Sequence, residues 1–318
     1  MAGETELPPL PAKPIARRGD VWRLGEHRLL CGDSTDAAAL GAFFDGREAV
    51  LLFTSPPYAQ QRDYGAAKEA VADWDALMCG VFGAAVLARE AQVLVNLGLV
   101  HDEGEWQPYW NRWIRWMRFR GWRRFGWYVW DQGPGLPGDW GGRFAPAHEF
   151  IFHFNRVSRK PEKTVPCSHA GQKLGGGGLR LSDGTIKLKS GAGAAINTHR
   201  IPDSVVRVNR HSGAIKGGAH PAVFPVALVE EMLRAWTEPG DLVYEPYCGS
   251  GSQIVAAERH DRVCFAVELD PAYVDVAVRR WQIETGGQAV LEGDGRTFSA
   301  IGGERLLDAC RASSAGAA

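Results

Sequence analysis

Short apolar runs alternate along the chain with segments in which apolar residues recur at helical spacing. The apolar runs predict buried strands over 21–31 (as a hairpin), 51–54, 91–100, 126–130, 148–154, 241–244, 263–268 and, at an edge, 288–293. The helically spaced segments predict helices over 37–44, 74–89, 103–120, 226–236, 253–260 and 271–281. Strands and helices in alternation are typical of an α/β fold. We predict a Rossmann-like, mostly parallel sheet with helices on both faces.

Large aromatic residues dominate the helix predicted over 103–120. Trp106, Trp110, Trp113 and Met117 recur there at helical spacing. Such a stripe suits a membrane surface or DNA, but it is more typical of a helix that packs on the sheet. We therefore predict that this face is part of the core.

The composition fits one large globular domain, or one domain with an insertion, because 45% of the 318 residues are hydrophobic and 23% are charged. The six cysteines form no CxxC pair, so neither a zinc site nor a disulfide framework is indicated, and we expect no metal. Residues 1–18 lack the apolar core of a signal peptide, and no apolar run is long enough to span a bilayer. We expect a cytoplasmic protein with a disordered lead over 1–18 and a tail over 301–318.

Positive charge is concentrated in residues 156–219. This segment holds twelve Lys and Arg residues against three acids, a net charge of +9, although the whole chain carries −1. A basic segment within an otherwise acidic chain is typical of a surface that binds a polyanion, and we favour nucleic acid over a solvated loop. The candidates for phosphate contacts are Lys187, Lys189, Arg200, Arg207 and Arg210.

Two prolines end the second predicted strand abruptly, in the sequence Thr54-Ser55-Pro56-Pro57-Tyr58. Ligands of open α/β sheets bind at the carboxyl ends of the parallel strands, so we expect these residues at such a site. Ser55 offers a small hydrogen-bond acceptor, Pro56 a carbonyl in a fixed position and Tyr58 an aromatic ring for stacking. Together they suit a planar base that carries an amino group.

A glycine loop with the sequence EPYCGSGS follows at residues 245–252, directly after another predicted strand. The next strand ends in Glu268, which is placed to accept hydrogen bonds from two ribose hydroxyls. The glycines allow the backbone to approach a nucleoside. A dinucleotide site would have a third glycine where this chain has Ile254, so the pattern disfavours an oxidoreductase.

Both motifs resemble those of the DNA amino-methyltransferases. Residues 245–251 resemble the D-P-F-x-G-S-G cofactor motif of that family, with Glu245 in place of Asp and Tyr247 in place of Phe. Residues 54–58 resemble its catalytic motif. The catalytic motif comes first and the basic segment lies between the two, as in the circularly permuted beta class. The resemblance covers about 28–281, most of the chain.

This resemblance implies a catalytic half over 19–155, a basic target-recognition insert over 156–219 and a cofactor-binding half over 220–300. It implies S-adenosyl-L-methionine as the methyl donor. The positions that match the catalytic motif are Ser55, Pro56, Pro57 and Tyr58. The positions expected to bind the cofactor are Asp33, His220, Glu245, Tyr247, Cys248, Gly249, Ser250, Gly251 and Glu268. For the cofactor adenine we prefer Asp33 over Asp294, because Asp33 precedes the catalytic motif by one helix and one strand.

The implied reaction is direct methylation of an exocyclic amino group. Ser55 and the Pro56 carbonyl would accept its N–H bonds, and Tyr58 would stack on a base flipped out of the duplex. The Ser-Pro-Pro-Tyr form resembles cytosine-N4 enzymes, so we favour N4 of cytosine over N6 of adenine. A cysteine route to cytosine C5 requires an activated thiolate, and Cys167 lacks the expected neighbours.

A DNA-binding protein with an inactive methyltransferase fold is the more distant alternative, which the intact motif residues disfavour. DNA is the expected partner, ahead of RNA or protein, and no membrane is expected. The resemblance to restriction-modification enzymes leaves a homodimer and a cognate restriction nuclease open as further partners. The protein would act at the bacterial nucleoid or, if phage-encoded, in the host cytoplasm.

Overall fold

The structure, a computed structural model, describes residues 6–58, 73–135, 137–173, 178–188, 194–210 and 223–305. The chain divides into two compact units, one over 160–203 and one that contains the residues on either side. The smaller unit lies inside the insert predicted over 156–219 and is shorter at both ends. Within the described residues, no helix is long and apolar enough to cross a membrane.

The chain forms strands and helices in the following order. The strands are β1 (Val21–Leu24), β2 (His27–Cys31), β3 (Ala49–Thr54), β4 (Leu87–Leu97), β5 (Val100–Asp102), β6 (Glu105–Gln107), β7 (Arg123–Asp131), β8 (His148–Asn155), β9 (Val165–Pro166), β10 (Gly178–Arg180), β11 (Ile186–Leu188), β12 (His199–Arg200), β13 (Val205–Arg207), β14 (Leu242–Glu245), β15 (Val263–Glu268) and β16 (Val290–Leu291). The helices are α1 (Ala37–Phe44), α2 (Trp74–Ala84), α3 (Asn111–Phe119), α4 (Val226–Trp236), α5 (Ser252–Arg259) and α6 (Pro271–Thr285). Residues 298–305 are also helical.

The larger unit is built on one ten-stranded sheet in the order β13-β7-β8-β4-β3-β14-β15-β2-β1-β16. The central strands β4, β3, β14, β15 and β2 are all parallel to their neighbours in this group. Strand β8 runs antiparallel to β4, and β1 runs antiparallel to β2. The mostly parallel sheet predicted from the sequence is therefore confirmed. Parallel strands share one direction, so their carboxyl ends lie at a single edge, which we call the carboxyl edge.

Helices pack on both faces of this sheet, because successive strand residues point to opposite sides. Leu51 and Phe53 belong to one buried cluster together with residues of α4, α5 and α6. Leu52, between them in β3, belongs to a second cluster with residues of α1, α2 and α3. The predicted helices on both faces are thus observed. The two cores hold the carboxyl ends of the central strands in fixed positions.

Two predicted helices differ from those observed. The helix predicted over 103–120 begins only at Asn111, because Glu103 and Gly104 adopt positive φ angles and turn the chain into the β5–β6 hairpin. Trp106 lies on that hairpin and is exposed, whereas Trp113 and Met117 are buried as expected. The helix predicted over 74–89 ends at Ala84, and strand β4 starts soon after.

The segment before β1 is ordered at its end, contrary to the disordered lead predicted over 1–18. Ile15 and Ala16 are buried, and their backbone N–H groups donate to the carboxylate of Asp275 at 2.7 and 2.8 Å. Arg305, in the last helical residues, donates to the Ile15 carbonyl at 2.7 Å. Ile301 is also buried, so the predicted tail over 301–318 starts within the packed structure.

The smaller unit, 160–203, consists of two short antiparallel pairs, β9–β12 and β10–β11. None of the side chains that the structure describes in this unit is buried. A segment this exposed presents its side chains to solvent instead of packing them into a core. The chain then enters the larger unit again, where β13 pairs in parallel with β7 at one end of the sheet.

Candidate active site

The two motifs found in the sequence follow neighbouring strands at the carboxyl edge. Strands β3 and β14 pair in parallel, with Leu52 opposite Tyr244. At their ends the Thr54 hydroxyl donates to the carboxyl of Glu245, which also accepts from the Tyr247 backbone N–H at 2.9 Å. Glu245 is buried, and this burial raises its pKa to about 8. The predicted cofactor residue Glu245 therefore joins the two motifs to each other.

The loop after β3, residues 55–58, is held rigidly by its surroundings. Pro56 is buried, and Ser55 and Pro57 are half-buried. The indole N–H of Trp74, the first residue of α2, donates to the Pro57 carbonyl at 2.8 Å. The loop thus presents the Ser55 side chain at a fixed place on the edge.

Tyr58 does not present the exposed aromatic ring that the sequence predicts. Its side chain is only 5% exposed, and a Cβ atom added to Gly98 would come within 2.9 Å of its ring. The Tyr58 hydroxyl donates to Glu149 at 2.6 Å and accepts from the Asn96 side-chain amide at 3.1 Å. Burial, and then the neighbouring Glu149, raise the pKa of Tyr58 well above its ordinary value. Tyr58 is a fixed, hydrogen-bonded part of the sheet edge.

The glycine loop after β14 surrounds the carboxylate of Glu268 at the end of β15. One carboxylate oxygen accepts from the Gly249 N–H at 2.8 Å, and the other accepts from the Asp270 N–H at 2.9 Å. Desolvation raises the pKa of Glu268 to about 6. Because each carboxylate oxygen has more than one acceptor site, each is still able to accept another donor.

Gly251 serves the packing of the loop, which the sequence did not indicate. It has a φ of +81°, and a Cβ atom there would lie 2.9 Å from the Cβ of Ala277 in α6. The buried guanidinium of Arg280, also in α6, donates to the Ser250 carbonyl at 3.2 Å and to the Ser252 hydroxyl at 2.9 Å. The glycine at 251 therefore allows α6 to approach the loop.

The remaining predicted cofactor positions have different surroundings. The buried hydroxyl of Tyr247 has no hydrogen-bond partner among the described residues. Cys248 is buried, which raises the pKa of its thiol well above the ordinary value. Asp33 follows β2, next to β15, and one of its oxygens accepts from the Thr35 N–H and hydroxyl, each at 2.8 Å. His220 lies outside the described residues.

Asp294, the alternative to Asp33, follows the edge strand β16 and forms an ion pair with Arg296 at 2.6 Å. Two strands, β1 and β2, separate β16 from β15 in the sheet. Asp33 is the closer of the two acids to Glu268 along the carboxyl edge, since β2 and β15 are direct neighbours.

The predicted DNA-contacting residues are divided between the two units. Lys187 and Arg200 belong to the smaller unit, where Lys187 is exposed and Arg200 pairs with Asp203 at 2.7 Å. Arg207 ends β13 in the larger unit, 3.8 Å from Asp131. Arg210 follows and donates to the Pro134 carbonyl at 3.2 Å. Lys189 lies outside the described residues.

Three polar residues that contact the motifs were missed by the sequence analysis: Asn96, Glu149 and Arg280. Asn96 and Arg280 are fully buried, and Glu149 is half-buried. Of the three, only Asn96 interrupts an otherwise apolar run, over 93–97 in β4, whereas β8 and α6 hold several other polar residues. That contrast was the available signal, because a buried polar side chain requires a partner.

Comparison with known proteins agrees with this arrangement. The chain is 46% identical over 67 residues to a type II methyltransferase, M.Cfr9I of Citrobacter freundii, covering 21% of this chain and 22% of that protein. It is 33% identical over 163 residues to M.XycI of Xanthomonas campestris pv. cyanopsidis, covering 49% of this chain and 45% of that one. The matched regions therefore span less than half the length of these curated relatives.

Solved structures share the fold. The PvuII DNA methyltransferase (cytosine-N4-specific) superposes with a TM-score of 0.54 at 20% identity, covering 86% of this chain and 96% of that one. A DNA modification methylase of Thermus thermophilus, complexed with S-adenosyl-L-methionine, gives 0.51 at 22% identity, covering 83% and 96%. The family model described as DNA methylase matches residues 50–279, well over half of the chain. The chain therefore belongs to this DNA methylase family of N6 and N4 methyltransferases.

Proposed function

We propose that this protein is a DNA methyltransferase that transfers a methyl group from S-adenosyl-L-methionine to an exocyclic amino group, with N4 of cytosine as the target. One observation carries the proposal. The Ser55 loop and the Glu268 carboxylate follow strands β3 and β15, with only β14 and its glycine loop between them. A hydrogen-bond acceptor suited to an amine and one suited to a ribose thus lie on the same edge of the sheet.

The residues at this edge fit the proposed cofactor. Glu268 has acceptor capacity on both oxygens for a ribose diol. Asp33 has a second carboxylate oxygen that accepts from none of the described residues and suits an adenine amino group. When bound, S-adenosyl-L-methionine supplies an electrophilic methyl group on a sulfonium sulfur. Glu268, Asp33 and the backbone of the glycine loop would hold its nucleoside.

The Ser55 loop would supply the acceptors for the target amine. The lone pair of an exocyclic amino group is delocalised into the ring, which makes the nitrogen a poor nucleophile. Hydrogen bonds from its two N–H groups to the Ser55 hydroxyl oxygen and the Pro56 carbonyl would fix its orientation. They would also stabilise the positive charge that develops on nitrogen as the N–C bond forms.

The choice of cytosine N4 rests on Ser55 at the first motif position. The PvuII enzyme, which shares the fold, is described as specific for cytosine N4. A cysteine route to C5 has little support, because Cys31, at the end of β2, and Cys248, in the loop after β14, are buried. Burial raises the pKa of Cys31 to about 12 and that of Cys248 well above its ordinary value, which disfavours the thiolates.

DNA is the proposed partner of both the edge and the exposed basic residues. We further propose that the protein acts in the cytoplasm, as a homodimer or beside a cognate restriction nuclease. The enzyme would read its site in a duplex and act on a flipped base, because the amino group is not accessible for in-line transfer within the stack.

The cofactor assignment is tested by titration calorimetry with S-adenosyl-L-methionine. We expect Glu268→Gln to weaken binding by about 10- to 100-fold, because a hydrogen bond to a charged acceptor contributes about 1.5–3 kcal/mol. Glu90→Gln, an exposed carboxylate on β4, is the matched control and should bind like the wild type. Equal affinities in both variants would refute the role of Glu268.

The target base is tested by expressing the protein in a host without methylation of its own and sequencing the chromosome with direct detection of modified bases. We expect N4-methylcytosine at a defined sequence. N6-methyladenine instead would leave the enzyme class intact and change only the base. An unmodified chromosome from a folded, cofactor-binding protein would favour the non-catalytic DNA-binding alternative.

A further inference from the structure

Glu149 is a carboxylate at the carboxyl edge that the chemistry above does not use. It lies near the start of β8, opposite Trp130 of β7, and is half-buried. Its side chain accepts from the Tyr58 hydroxyl at 2.6 Å and from the Asn96 side-chain amide. The same amide nitrogen also donates to the Tyr58 oxygen at 3.1 Å. Glu149, Asn96 and Tyr58 thus form a closed triangle of hydrogen bonds, which we call the Tyr58 triangle.

The directions of these hydrogen bonds follow from the chemistry of the groups. An ionised carboxylate accepts and does not donate, so the single Tyr58 proton goes to Glu149. The amide nitrogen of Asn96 donates to the Tyr58 oxygen. The Tyr58 oxygen therefore acts as an acceptor toward every other neighbour.

Ser55 is the next group along this chain of hydrogen bonds. Its side chain is hydrogen-bonded to that of Tyr58, and this contact lowers the pKa of Tyr58, as a hydrogen bond donated to the phenolic oxygen does. Because the Tyr58 proton already points at Glu149, Ser55 must donate in this pair. With respect to the residues that the structure describes, both lone pairs of the Ser55 hydroxyl oxygen then remain available as acceptors.

We propose that Glu149 is a positioning residue that turns the Ser55 hydroxyl into an acceptor for the amino group of the target base. The inference rests on the proposed function, since it requires an N–H donor opposite Ser55. Without the carboxylate, the Tyr58 hydroxyl is able to donate to Ser55. One lone pair of the Ser55 oxygen then accepts from Tyr58 and is no longer available to the substrate.

The charge of Glu149 acts in the same direction. Positive charge develops on the amine nitrogen during transfer, and three hydrogen bonds, through Ser55 and Tyr58, connect it to the partly buried carboxylate of Glu149. Polarisation along such a chain strengthens each bond. The effect is larger in the transition state than in the bound substrate, so it should appear in the rate and not in affinity.

The test compares single-turnover transfer of a tritiated methyl group to long unmodified genomic DNA. We expect Glu149→Gln to slow transfer by about 10- to 100-fold. This is the loss typical of removing a residue that orients another functional group by a hydrogen bond, as measured for the residues behind metal ligands. Affinities for cofactor and DNA should stay unchanged. Tyr58→Phe breaks the same chain of hydrogen bonds without removing a carboxylate and should slow transfer similarly. Glu90→Gln should leave transfer and binding unchanged.

A double-mutant cycle with Ser55→Ala separates this role from a merely structural one. If Glu149 acts through the Ser55 hydroxyl, Glu149→Gln should slow the Ser55→Ala variant little or not at all. Independent effects that multiply in the double variant would overturn the inference, as would a wild-type rate in Glu149→Gln. A wild-type protein that transfers no methyl group to any DNA would overturn the proposed function itself.

Discussion

The loops that follow β3 and β14 lie side by side at one edge, but they are held in place in different ways. The loop after β3 is held by side-chain hydrogen bonds, from Trp74 to Pro57 and from Tyr58 to Glu149. The loop after β14 also has hydrogen bonds, with Glu268 and Arg280, but close packing adds to them, with Gly251 against Ala277 of α6. Substitutions in the loop after β3 should therefore mainly change the rate of methyl transfer. Substitutions in the loop after β14 should mainly change the stability of the fold.

The buried carboxyl of Glu245 connects these two regions. It belongs to the second loop but accepts from Thr54, the last residue before the first. A variant at Glu245 should therefore affect both loops, whereas variants at other positions should separate effects on rate from effects on stability. The expected effects are given in decreasing order.

Ser55→Ala should give the largest change, and only in the rate. Removing one group that stabilises developing charge typically lowers turnover by about 10²–10³, or about 2.7–4 kcal/mol in the barrier. We expect single-turnover methylation to fall by this factor, with unchanged unfolding and unchanged affinity for cofactor and DNA. A rate close to wild type would show that Ser55 is not the acceptor.

Gly251→Ala should mainly change stability. The positive φ costs about 1–2 kcal/mol for a residue with a Cβ atom, and the contact with Ala277 adds about 1–3 kcal/mol of overpacking. Gly240→Ala is the matched control, because Gly240 has a similar φ of +86° with no atom within 4 Å of its added Cβ. Urea unfolding should show the larger loss for Gly251→Ala. Equal losses would mean that packing against α6 is unimportant.

Glu245→Gln should flatten the dependence of stability on pH. In the folded protein the pKa of Glu245 is raised from 4.5 to about 8, so the folded state binds this proton more tightly than the unfolded state does. Stability from this group is full below pH 4.5 and falls as pH rises toward 8, by up to about 1.4 kcal/mol per pH unit. Urea unfolding across this range should show a smaller decline for Glu245→Gln. Glu90→Gln should decline like the wild type.

The basic residues should give the smallest effect. Lys187→Gln and Arg207→Gln should each reduce the slope of log K for DNA against log salt by about one unit. Arg200→Gln should reduce it less, because Asp203 already pairs with this guanidinium through two hydrogen bonds. Filter binding across a salt series measures all three. A slope unchanged in every variant would assign the positive charge another role.

Local patterns were enough to predict most of the sheet and its helices. Helix α4 (Val226–Trp236) and strand β15 (Val263–Glu268) were predicted at their observed bounds, because apolar periodicity is a property of neighbouring residues. The helix over 103–120 was predicted too long, because the turn at Gly104 interrupts a sequence whose tryptophans still recur at helical spacing.

The motifs themselves were found from the sequence, but the way they are held was not. The sequence analysis predicted an exposed aromatic ring at Tyr58 because its hydrogen-bond partners are distant in sequence. Asn96 is 38 residues away and Glu149 is 91 residues away. Contacts of this kind depend on strand order, which a single sequence does not specify. The role of Gly251 in packing was missed for the same reason, since Ala277 reaches it from another element.

Strand β13 has a consequence for how the insert can vary. A sheet edge with unpaired N–H and C=O groups invites association with other chains. Val205–Arg207 pairs with the last three residues of β7, Val129–Asp131, and ends in a charged residue. The chain that precedes Ser204 is therefore free to change in length and sequence without uncovering this part of β7. Evolution of new specificities through the insert would leave this part of the edge paired.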